Sequence, residues 1–406
     1  MERAPLTDDW HQDGALDPSL RFAAQLGSPS EPRAVLLTGA TGMLGAFVLA
    51  ELLRTSAVEV HCLVRDDGGP PAARLRAHLA ALGLWEPGFA GRIVAVIGDL
   101  GLPRLGLGPE RFAALAAQVE VIYHCGVMAH FLRPYAALRA VNVFGTAELL
   151  RLAGTGGTRP VHHVSTLAVF FDRAGFAGTT TVSELDEAAP EGLRSGYVRS
   201  KWAAERLVGE AMRRGLPAAI YRTSRISGHS QTGATSSWND LLASMIKACV
   251  LLGVYPTLTI EVSMMPVDHV ARAIVYLSRD ERSPGRAFHL FQPAPIAWPA
   301  LIGMIEAAGY PLLAVGYDEW RARLKRAASD GHPEREALAR LWLLLGPDSA
   351  LLGGRPRHDT PNSRVCLAGS GIECPPIHQA LVNNYLGYFR QRGYIPGPGE
   401  NHARTR

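Results

Sequence analysis

A tyrosine and a lysine stand four residues apart in the segment 196–201, which reads GYVRSK. Residues spaced i and i+4 share one face of a helix, so we expect Tyr197 and Lys201 to point in the same direction. An ammonium group beside a phenol favours the phenolate, and the pair therefore predicts a Tyr197 pKa below the free value of about 10. Such a phenol exchanges a proton with a carbonyl oxygen near neutral pH. The competing interpretation is a surface tyrosine beside a solvated lysine.

A pair of hydroxyl groups precedes these residues, at the end of an apolar segment that is typical of a strand. Ser165 and Thr166 are adjacent there. Successive side chains of a strand face opposite ways, so only one of the two faces the tyrosine. We assign that place to Thr166, as a donor that polarises the same carbonyl oxygen. Thr166, Tyr197 and Lys201 are thus the predicted catalytic residues.

The segment 38–45, TGATGMLG, lies between an apolar run and the helical sequence AFVLAELLR. Gly39, Gly42 and Gly45 form a variant of the dinucleotide-binding fingerprint. We expect Gly39 to allow a tight turn, Gly42 to let backbone amides approach a pyrophosphate, and Gly45 to let the helix pack on the strand. The alternative is a glycine-rich turn without a ligand. With a dinucleotide bound, Lys201 would also hydrogen-bond the nicotinamide ribose.

The end of the second apolar run indicates which nucleotide is bound. NAD sites place an acid there, whereas this chain has Arg65, whose guanidinium can hold a 2′-phosphate. We predict NADP(H), with Arg74 as a second arm; the alternative takes Asp66 as the ribose ligand and Arg65 as solvated. Asp99 ends the third run, where its side chain either contacts the adenine amino group or caps the following turn. Two neighbours of these positions complete the predicted cofactor contacts, namely Leu100 and Ser165.

Seven short apolar runs alternate with segments of helical apolar spacing. Strands that are apolar throughout are buried on both faces, and their alternation with helices predicts parallel βαβ units in a doubly wound Rossmann-type α/β sheet. The runs span residues 34–37, 58–64, 92–100, 119–126, 160–170, 218–226 and 287–291.

After about residue 228 this alternation weakens and helical segments dominate, which predicts a smaller, mainly helical C-terminal substrate lobe. The predicted organisation has four parts: a loosely packed lead-in over 1–30, an NADP-binding domain over 31–228 to which 262–295 returns, a substrate and carrier lobe over 229–261 and 296–396, and a tail over 397–406.

The composition excludes several classes of protein. The chain of 406 residues is 47% hydrophobic and 19% charged, which excludes a disordered chain. No apolar run approaches the about 20 residues that span a bilayer, so no membrane attachment is expected. A net charge of +4 is too small to demand nucleic acid. Five cysteines without a CxxC pair predict reduced thiols in a cytoplasmic protein and no metal site.

Three motifs resemble the extended short-chain dehydrogenase/reductase family: TGATGMLG, VSTLAV and GYVRSKWAAE. Within that family the chain resembles the thioester reductase domains at the ends of nonribosomal peptide synthetases and carboxylic acid reductases. The segments that carry this narrower resemblance are CLVR, VEVIYHCG, NVFGTAELLRLA, YRTSRISGHSQTG, IKACVLLG, PVDHVARAIVYLS and AGSGIECPP. The resemblance covers residues 16–396, nearly the whole chain.

The resemblance implies a fuller set of cofactor contacts. Thr41, Met43 and Leu44 join the three glycines around the pyrophosphate, Arg65 and Arg74 hold the 2′-phosphate, Gly126 and Val127 line the cofactor through their backbone, and Thr223, Ser224 and Ile226 lie along the nicotinamide carboxamide.

Three positions depart from the family pattern. Cys125 and His130 stand where relatives commonly have Asn, and Thr223 stands where they commonly have Pro. His130 and Thr223 belong to the expected substrate and nicotinamide side, so these departures concern the pose of the substrate more than binding of the cofactor.

The resemblance implies that NADPH reduces an acyl thioester carried on a phosphopantetheine arm, which gives an aldehyde and, with a second NADPH, an alcohol. The carrier protein would come in trans or from a parent polypeptide, so a monomer or a domain of a larger chain is expected. Two rival functions remain: an epimerase or hydroxysteroid-type dehydrogenase on the same fold, and a cofactor sensor without turnover. The long helical C-terminal part disfavours the first, and the intact predicted triad disfavours the second.

Overall fold

The structure, a computed structural model, describes residues 10–23, 31–170, 181–329, 332–345 and 357–400. Parts of the predicted lead-in (1–9 and 24–30) and of the predicted tail (401–406) lie outside the described residues.

The elements within the described ranges are numbered in chain order. The helices are α1 (Trp10–Asp13), α2 (Met43–Thr55), α3 (Pro71–Ala81), α4 (Pro109–Gln118), α5 (Tyr135–Arg139), α6 (Gly145–Ala153), α7 (Gly196–Arg213), α8 (Leu241–Leu252), α9 (Val267–Ser278), α10 (Trp298–Ala307), α11 (Tyr317–Ser329), α12 (Arg335–Leu344), α13 (Pro361–Cys366) and α14 (Gln379–Gln391). The strands are β1 (Ala34–Thr38), β2 (Glu59–Val64), β3 (Ile93–Ile97), β4 (Val121–His124), β5 (Val161–Thr166), β6 (Thr181–Ser183), β7 (Ala218–Thr223), β8 (Ile226–Ser227), β9 (Val254–Pro256), β10 (Glu261–Val262), β11 (Met265–Pro266), β12 (Ala287–Leu290), β13 (Ile296–Ala297), β14 (Leu313–Val315) and β15 (Arg357–Asp359).

In the part of the chain that the structure describes, seven strands form one parallel sheet in the order β12-β7-β5-β4-β1-β2-β3. Each of these strands falls within, or ends one residue beyond, one of the seven predicted apolar runs. The longer runs overshoot where the backbone leaves the sheet; residues 167–170, for example, form a 3-10 turn after β5. The predicted fold class is therefore confirmed. The carboxyl ends of parallel strands lie along one edge of the sheet, and ligands of such sheets bind at that edge.

The N-terminal segment 10–23 is packed, contrary to the expectation of a loose lead-in. Trp10 lies edge-to-face on Trp202 of α7, with ring centroids 5.1 Å apart. Asp13 accepts hydrogen bonds from the Tyr135 hydroxyl at 2.5 Å and from Arg139 Nη2 at 2.6 Å. The segment thereby holds α5 and α7, the helix that carries Tyr197 and Lys201, in a fixed relation.

The chain divides into two compact units. The first contains the described residues up to 224 together with 269–290 and 357–373; the second contains 225–268, 291–345 and 374–400. The sequence placed all of 296–396 in the second lobe, whereas the segment 357–373 groups with the sheet.

One buried carboxylate joins that late segment to the sheet. Glu184 accepts the backbone N–H of His289 at 2.7 Å and those of Asn362 and Ser363 at 2.6 and 3.0 Å, and the Ser363 hydroxyl also donates to it. Burial raises the pKa of Glu184, and the hydrogen bonds oppose that effect. The carboxylate therefore caps the start of α13 and fixes it beside β12.

The second unit consists of α8, α10, α11, α12 and α14 with short two-stranded pairs. Its core includes Trp298 and Trp320, which are fully buried, and the Trp298 indole N–H donates to the Pro256 carbonyl at 2.8 Å. Asp240 caps α8 by accepting two backbone N–H bonds at 2.9 and 3.1 Å. None of the helices in the described ranges combines the length and the apolar character needed to cross a membrane.

Candidate active site

The glycine loop between β1 and α2 has the close approaches that the fingerprint predicts. Gly39 has φ of 79°, a left-handed conformation that favours glycine, and a Cβ there would lie 2.7 Å from the backbone nitrogen of Gly126. A Cβ on Gly45 would lie 2.0 Å from the Gly39 carbonyl oxygen. Gly42 starts α2 in an extended conformation with no side-chain cap. The first turn of α2 therefore presents backbone amides that can bind an anion, and this fits the pyrophosphate of a dinucleotide.

The remaining loop positions share this place at the start of α2. Thr41 is exposed, Leu44 is half-buried and Met43 is buried in the structure.

A chain of hydrogen bonds joins the loop to the end of β4. The Thr146 hydroxyl donates to the Asn142 carbonyl at 2.8 Å, so it accepts from His124 Nε2 at 2.9 Å. His124 Nδ1 is then an acceptor, and it accepts a hydrogen bond from the Thr38 hydroxyl at 2.8 Å. Thr38 in turn accepts a hydrogen bond from the Gly126 N–H at 3.0 Å. Burial, and then the charge of Lys201, lower the His124 pKa to about 3, so the imidazole stays neutral. This chain fixes Gly126 beside the glycine loop.

The predicted adenine-side residues lie after β2. Arg65 directly follows the strand and is exposed. Arg74 of α3 donates to the Arg65 carbonyl at 2.5 Å and pairs with Asp67, so in this structure its guanidinium is engaged. Asp66, the alternative ribose ligand, accepts the Gly68 N–H at 3.1 Å and so closes a turn.

The residues after β3 occupy a turn that packs on the same region. Asp99 Oδ1 accepts the Gly101 N–H at 2.8 Å, which is the turn-capping role foreseen as one of its two alternatives. Leu100 is half-buried, and its Cδ1 would lie 2.6 Å from a Cβ placed on Gly126. A contact of Asp99 with adenine stays a prediction.

Tyr197 lies in the first turn of α7 and is half-buried. Burial raises its pKa to about 12, so the expectation of a lowered pKa is wrong in direction: removal from water disfavours the phenolate. A phenol that keeps its proton at neutral pH is a proton donor. The ring of Phe131 lies against it, with centroids 4.9 Å apart.

Lys201, one turn further along α7, is buried. Its Nζ donates to the Val164 carbonyl at 2.6 Å and lies 3.4 Å from His163 Nε2. Burial lowers the Lys201 pKa to about 8, an effect that nearby Glu205 opposes. The amine is therefore mostly an ammonium at neutral pH and loses its charge in mildly alkaline solution.

The two adjacent hydroxyls of β5 have separate environments. Ser165 is buried and its hydroxyl donates to Glu205, which also receives Nε of Arg222 at 2.9 Å. Only the backbone of Ser165 is left for a cofactor contact. Thr166 is half-buried, and its Oγ1 accepts the Ala168 N–H at 3.2 Å, so its hydroxyl proton can be offered to a substrate.

The other predicted nicotinamide-side residues fall in both units. Thr223 ends β7, and its hydroxyl donates to the Ser165 carbonyl at 3.3 Å. The Ser224 N–H donates to the Leu290 carbonyl at 2.8 Å, which ties the end of β7 to β12. Ile226 opens β8, which belongs to the second unit.

The loop after β4 carries the remaining predicted positions. Val127 and His130 are both exposed there. Within the described residues, no group of three or more His, Cys, Asp or Glu side chains could hold a metal ion.

Three residues of this site were missed from the sequence. Glu205 continues the i, i+4 series of Tyr197 and Lys201, so the same spacing rule could have found it. His163, which contacts Lys201, stands in the conspicuous pair His162–His163. Phe131 gave no signal, because only the fold brings its loop to α7.

Comparison with known proteins agrees with this fold. Residues 37–274 match the family described as Male sterility protein, an NAD-binding family, and the chain belongs to that family. It is accordingly an oxidoreductase with a nicotinamide cofactor.

The chain is similar to reductase parts of much longer proteins. It is 41% identical over 386 residues to a linear gramicidin synthase of Brevibacillus parabrevis, covering 94% of this chain and 8% of that protein. It is 34% identical over 394 residues to the L-2-aminoadipate reductase large subunit of Penicillium chrysogenum, covering 91% of this chain and 28% of that protein. The chain thus spans well under half the length of these relatives.

Solved structures give the same result. The terminal R domain of the myxalamid PKS-NRPS biosynthetic pathway superposes with a TM-score of 0.89 at 37% identity, covering 96% of this chain and 99% of that one. The reductase domain of a nonribosomal peptide synthetase from Mycobacterium tuberculosis superposes with a TM-score of 0.77 at 27% identity, covering 92% and 95%. The resemblance to terminal reductase domains is confirmed.

Proposed function

We propose that this chain reduces an acyl or peptidyl thioester, carried on the phosphopantetheine arm of a carrier protein, to an aldehyde and a free thiol. The observation that carries the proposal is the Tyr197 phenol one helical turn from the buried Lys201 amine on α7, in a unit whose glycine loop fits a dinucleotide. The similarity to terminal reductase domains supports it.

When bound, NADPH supplies the hydride that adds to the thioester carbonyl carbon. Tyr197 gives its hydroxyl proton to the oxygen that becomes negative, and Thr166 donates a hydrogen bond to the same oxygen. The C–S bond then breaks, the hydroxyl proton is released as the carbonyl reforms, and the thiolate takes up a proton. Lys201 would hold the nicotinamide ribose, and its own position is fixed by its hydrogen bond to the Val164 carbonyl.

The choice of NADPH over NADH rests on Arg65. Its exposed guanidinium directly follows β2, where NAD enzymes place an acid. Arg65→Ala should weaken NADPH binding at least about tenfold and leave NADH binding nearly unchanged, because a charge-assisted bond to the 2′-phosphate is lost. Arg76→Ala, on the neighbouring helix α3, is the control. Titration of each variant with both cofactors measures this, and equal losses for the two would contradict the assignment.

The carrier is proposed to be part of the same multidomain polypeptide or a separate protein, in a cytoplasmic setting that keeps the thiols reduced. We assign the acyl and carrier dock to residues 229–261 and 296–396, without the segment 357–373 that groups with the sheet, and cofactor binding to 31–228 with 262–295. This arrangement predicts a much higher kcat/KM for a carrier-bound thioester than for the same acyl group on a short thiol, since the carrier raises its local concentration.

The assay follows NADPH oxidation and aldehyde release, with Tyr197→Phe as the matched variant. We expect nearly unchanged NADPH affinity and a loss of kcat of about 10²–10⁴, the scale of a lost general acid. Oxidation of free alcohols without thioester reduction would favour the dehydrogenase alternative, and full turnover by Tyr197→Phe would remove the phenol from the mechanism.

A further inference from the structure

The loop between β4 and α5 exposes three apolar side chains close together in sequence. Val127 is 39% exposed, Phe131 47% and Leu132 45%. Apolar side chains that are clustered and exposed mark binding surfaces more often than isolated ones do. The loop therefore offers apolar side chains that an occupant of the site can contact.

The position of Phe131 identifies that occupant. Its ring centroid lies 4.9 Å from that of Tyr197, at an interplanar angle of 57°. On the function proposed above, the Tyr197 hydroxyl touches the reacting carbonyl oxygen. The carbon atoms next to that carbonyl are then within reach of the Phe131 side chain.

The loop rests on fixed backbone at both ends. Asn142 holds its start, accepting the Met128 N–H at 2.7 Å and donating to the Met128 carbonyl at 3.2 Å. At its other end, a Cβ on Gly196 would lie 2.5 Å from the Tyr135 nitrogen and 2.6 Å from the Arg133 oxygen, so this backbone packs directly on the first residue of α7. A surface fixed in this way is preorganised for binding.

We infer that the loop 127–132 is the wall of the acyl site nearest the carbonyl, and that Phe131 determines acyl specificity there. The wall favours an apolar substituent on the carbons next to the carbonyl, such as an alkyl chain or the aliphatic side chain of a peptidyl group, because a polar or charged substituent pressed against the ring loses its water without gaining a partner. This inference rests on the proposed function. It adds a selective surface within the first unit, whereas the sequence analysis assigned the acyl dock to the helical lobe alone.

The test compares wild type with Phe131→Ala on two acyl-pantetheine thioesters of equal length, one with an alkyl branch (the aliphatic substrate) and one with a carboxymethyl branch (the carboxylate substrate) on the carbon next to the carbonyl. We expect Phe131→Ala to lose about 10- to 100-fold in kcat/KM for the aliphatic substrate, the scale of lost apolar contact in a specificity pocket. The loss for the carboxylate substrate should be less than about threefold, and the KM for NADPH should not change. Phe144→Ala is the matched control, since Phe144 is 43% exposed in the same unit but packs under Arg139 at 4.7 Å.

A binding arm separates this inference from the proposed function. Calorimetry with the unreactive amide analogues of both substrates measures acyl selectivity without turnover. Thioester reduction with equal losses for both substrates, or with none, overturns the role of Phe131 and leaves the proposed function standing. Selective, Phe131-dependent binding of the aliphatic amide without any thioester reduction overturns the proposed function instead. Absence of both binding and reduction overturns both.

Discussion

Replacement of Lys201 by methionine tests the electrostatic cost of burying the amine of the active site. Lys201 is only 4% exposed, and burial lowers its pKa from 10.5 to about 8. Between those two values the unfolded chain binds a proton that the folded chain does not, so the free energy of unfolding of the wild type rises with pH across this window. At about 1.4 kcal/mol per pKa unit, the charged amine costs the folded state about 3 kcal/mol at neutral pH.

Lys201→Met lacks this titration. The difference in free energy of unfolding between the wild type and the variant should therefore move by about 3 kcal/mol in favour of the wild type from about pH 7 to about pH 10.5. Glu205 stays paired with Arg222 at 2.8 Å in the variant, so no uncompensated carboxylate confuses the comparison.

Urea unfolding at several pH values measures these free energies. Lys201→Arg is the control, because its guanidinium stays charged throughout the window and its profile should run parallel to that of Lys201→Met. If the wild type also runs parallel to both variants, the amine is not titrating in this range and the argument from burial fails.

Two further predictions concern residues that shape the first unit. Gly45→Ala should weaken NADPH binding at least about tenfold in a fluorescence titration, because its Cβ would lie 2.0 Å from the Gly39 oxygen. The control is Gly303→Ala, in a helix with open space around it, which should bind NADPH normally. Equal binding of NADPH by both variants would contradict the reasoning. Glu184→Gln should lower the free energy of unfolding by about 1–3 kcal/mol, because an amide has only one oxygen to accept the hydrogen bonds that both carboxylate oxygens now accept. The control is Glu187→Gln, at an exposed position, which should change this free energy by less than about 1 kcal/mol. An equal effect of the two substitutions would show that the buried cap is not stabilising.

The sheet could be predicted from the sequence because its signal is local. Each strand is a short apolar run flanked by helical spacing, and both properties can be read from a few neighbouring residues. The glycine loop was equally accessible, since its conformations and close approaches require glycine at fixed positions, as Gly39 shows with its φ of 79°.

Features that depend on contacts between distant segments could not be predicted from the sequence. The packing of Trp10 on Trp202 joins residues almost two hundred positions apart, and a polar lead-in gives no hint of it. The direction of the Tyr197 pKa was wrong because the sequence shows Lys201 four residues away but not the burial that raises the pKa of the phenol. The roles of the predicted cofactor contacts stay predictions, because the spacing of residues does not fix where their side chains meet a ligand.

The cap that Glu184 provides for α13 has a consequence for folding during synthesis on the ribosome. Its donors on α13 lie 178 residues further along the chain, so at about 5–20 residues per second the ribosome needs about 10–35 seconds to deliver them. During that interval most of the second unit is made while the sheet still lacks its last segment. The Glu184 carboxylate therefore lacks its donors from α13 until most of the second unit has been synthesised, and a nascent chain that ends before Asn362 forms its sheet without this link.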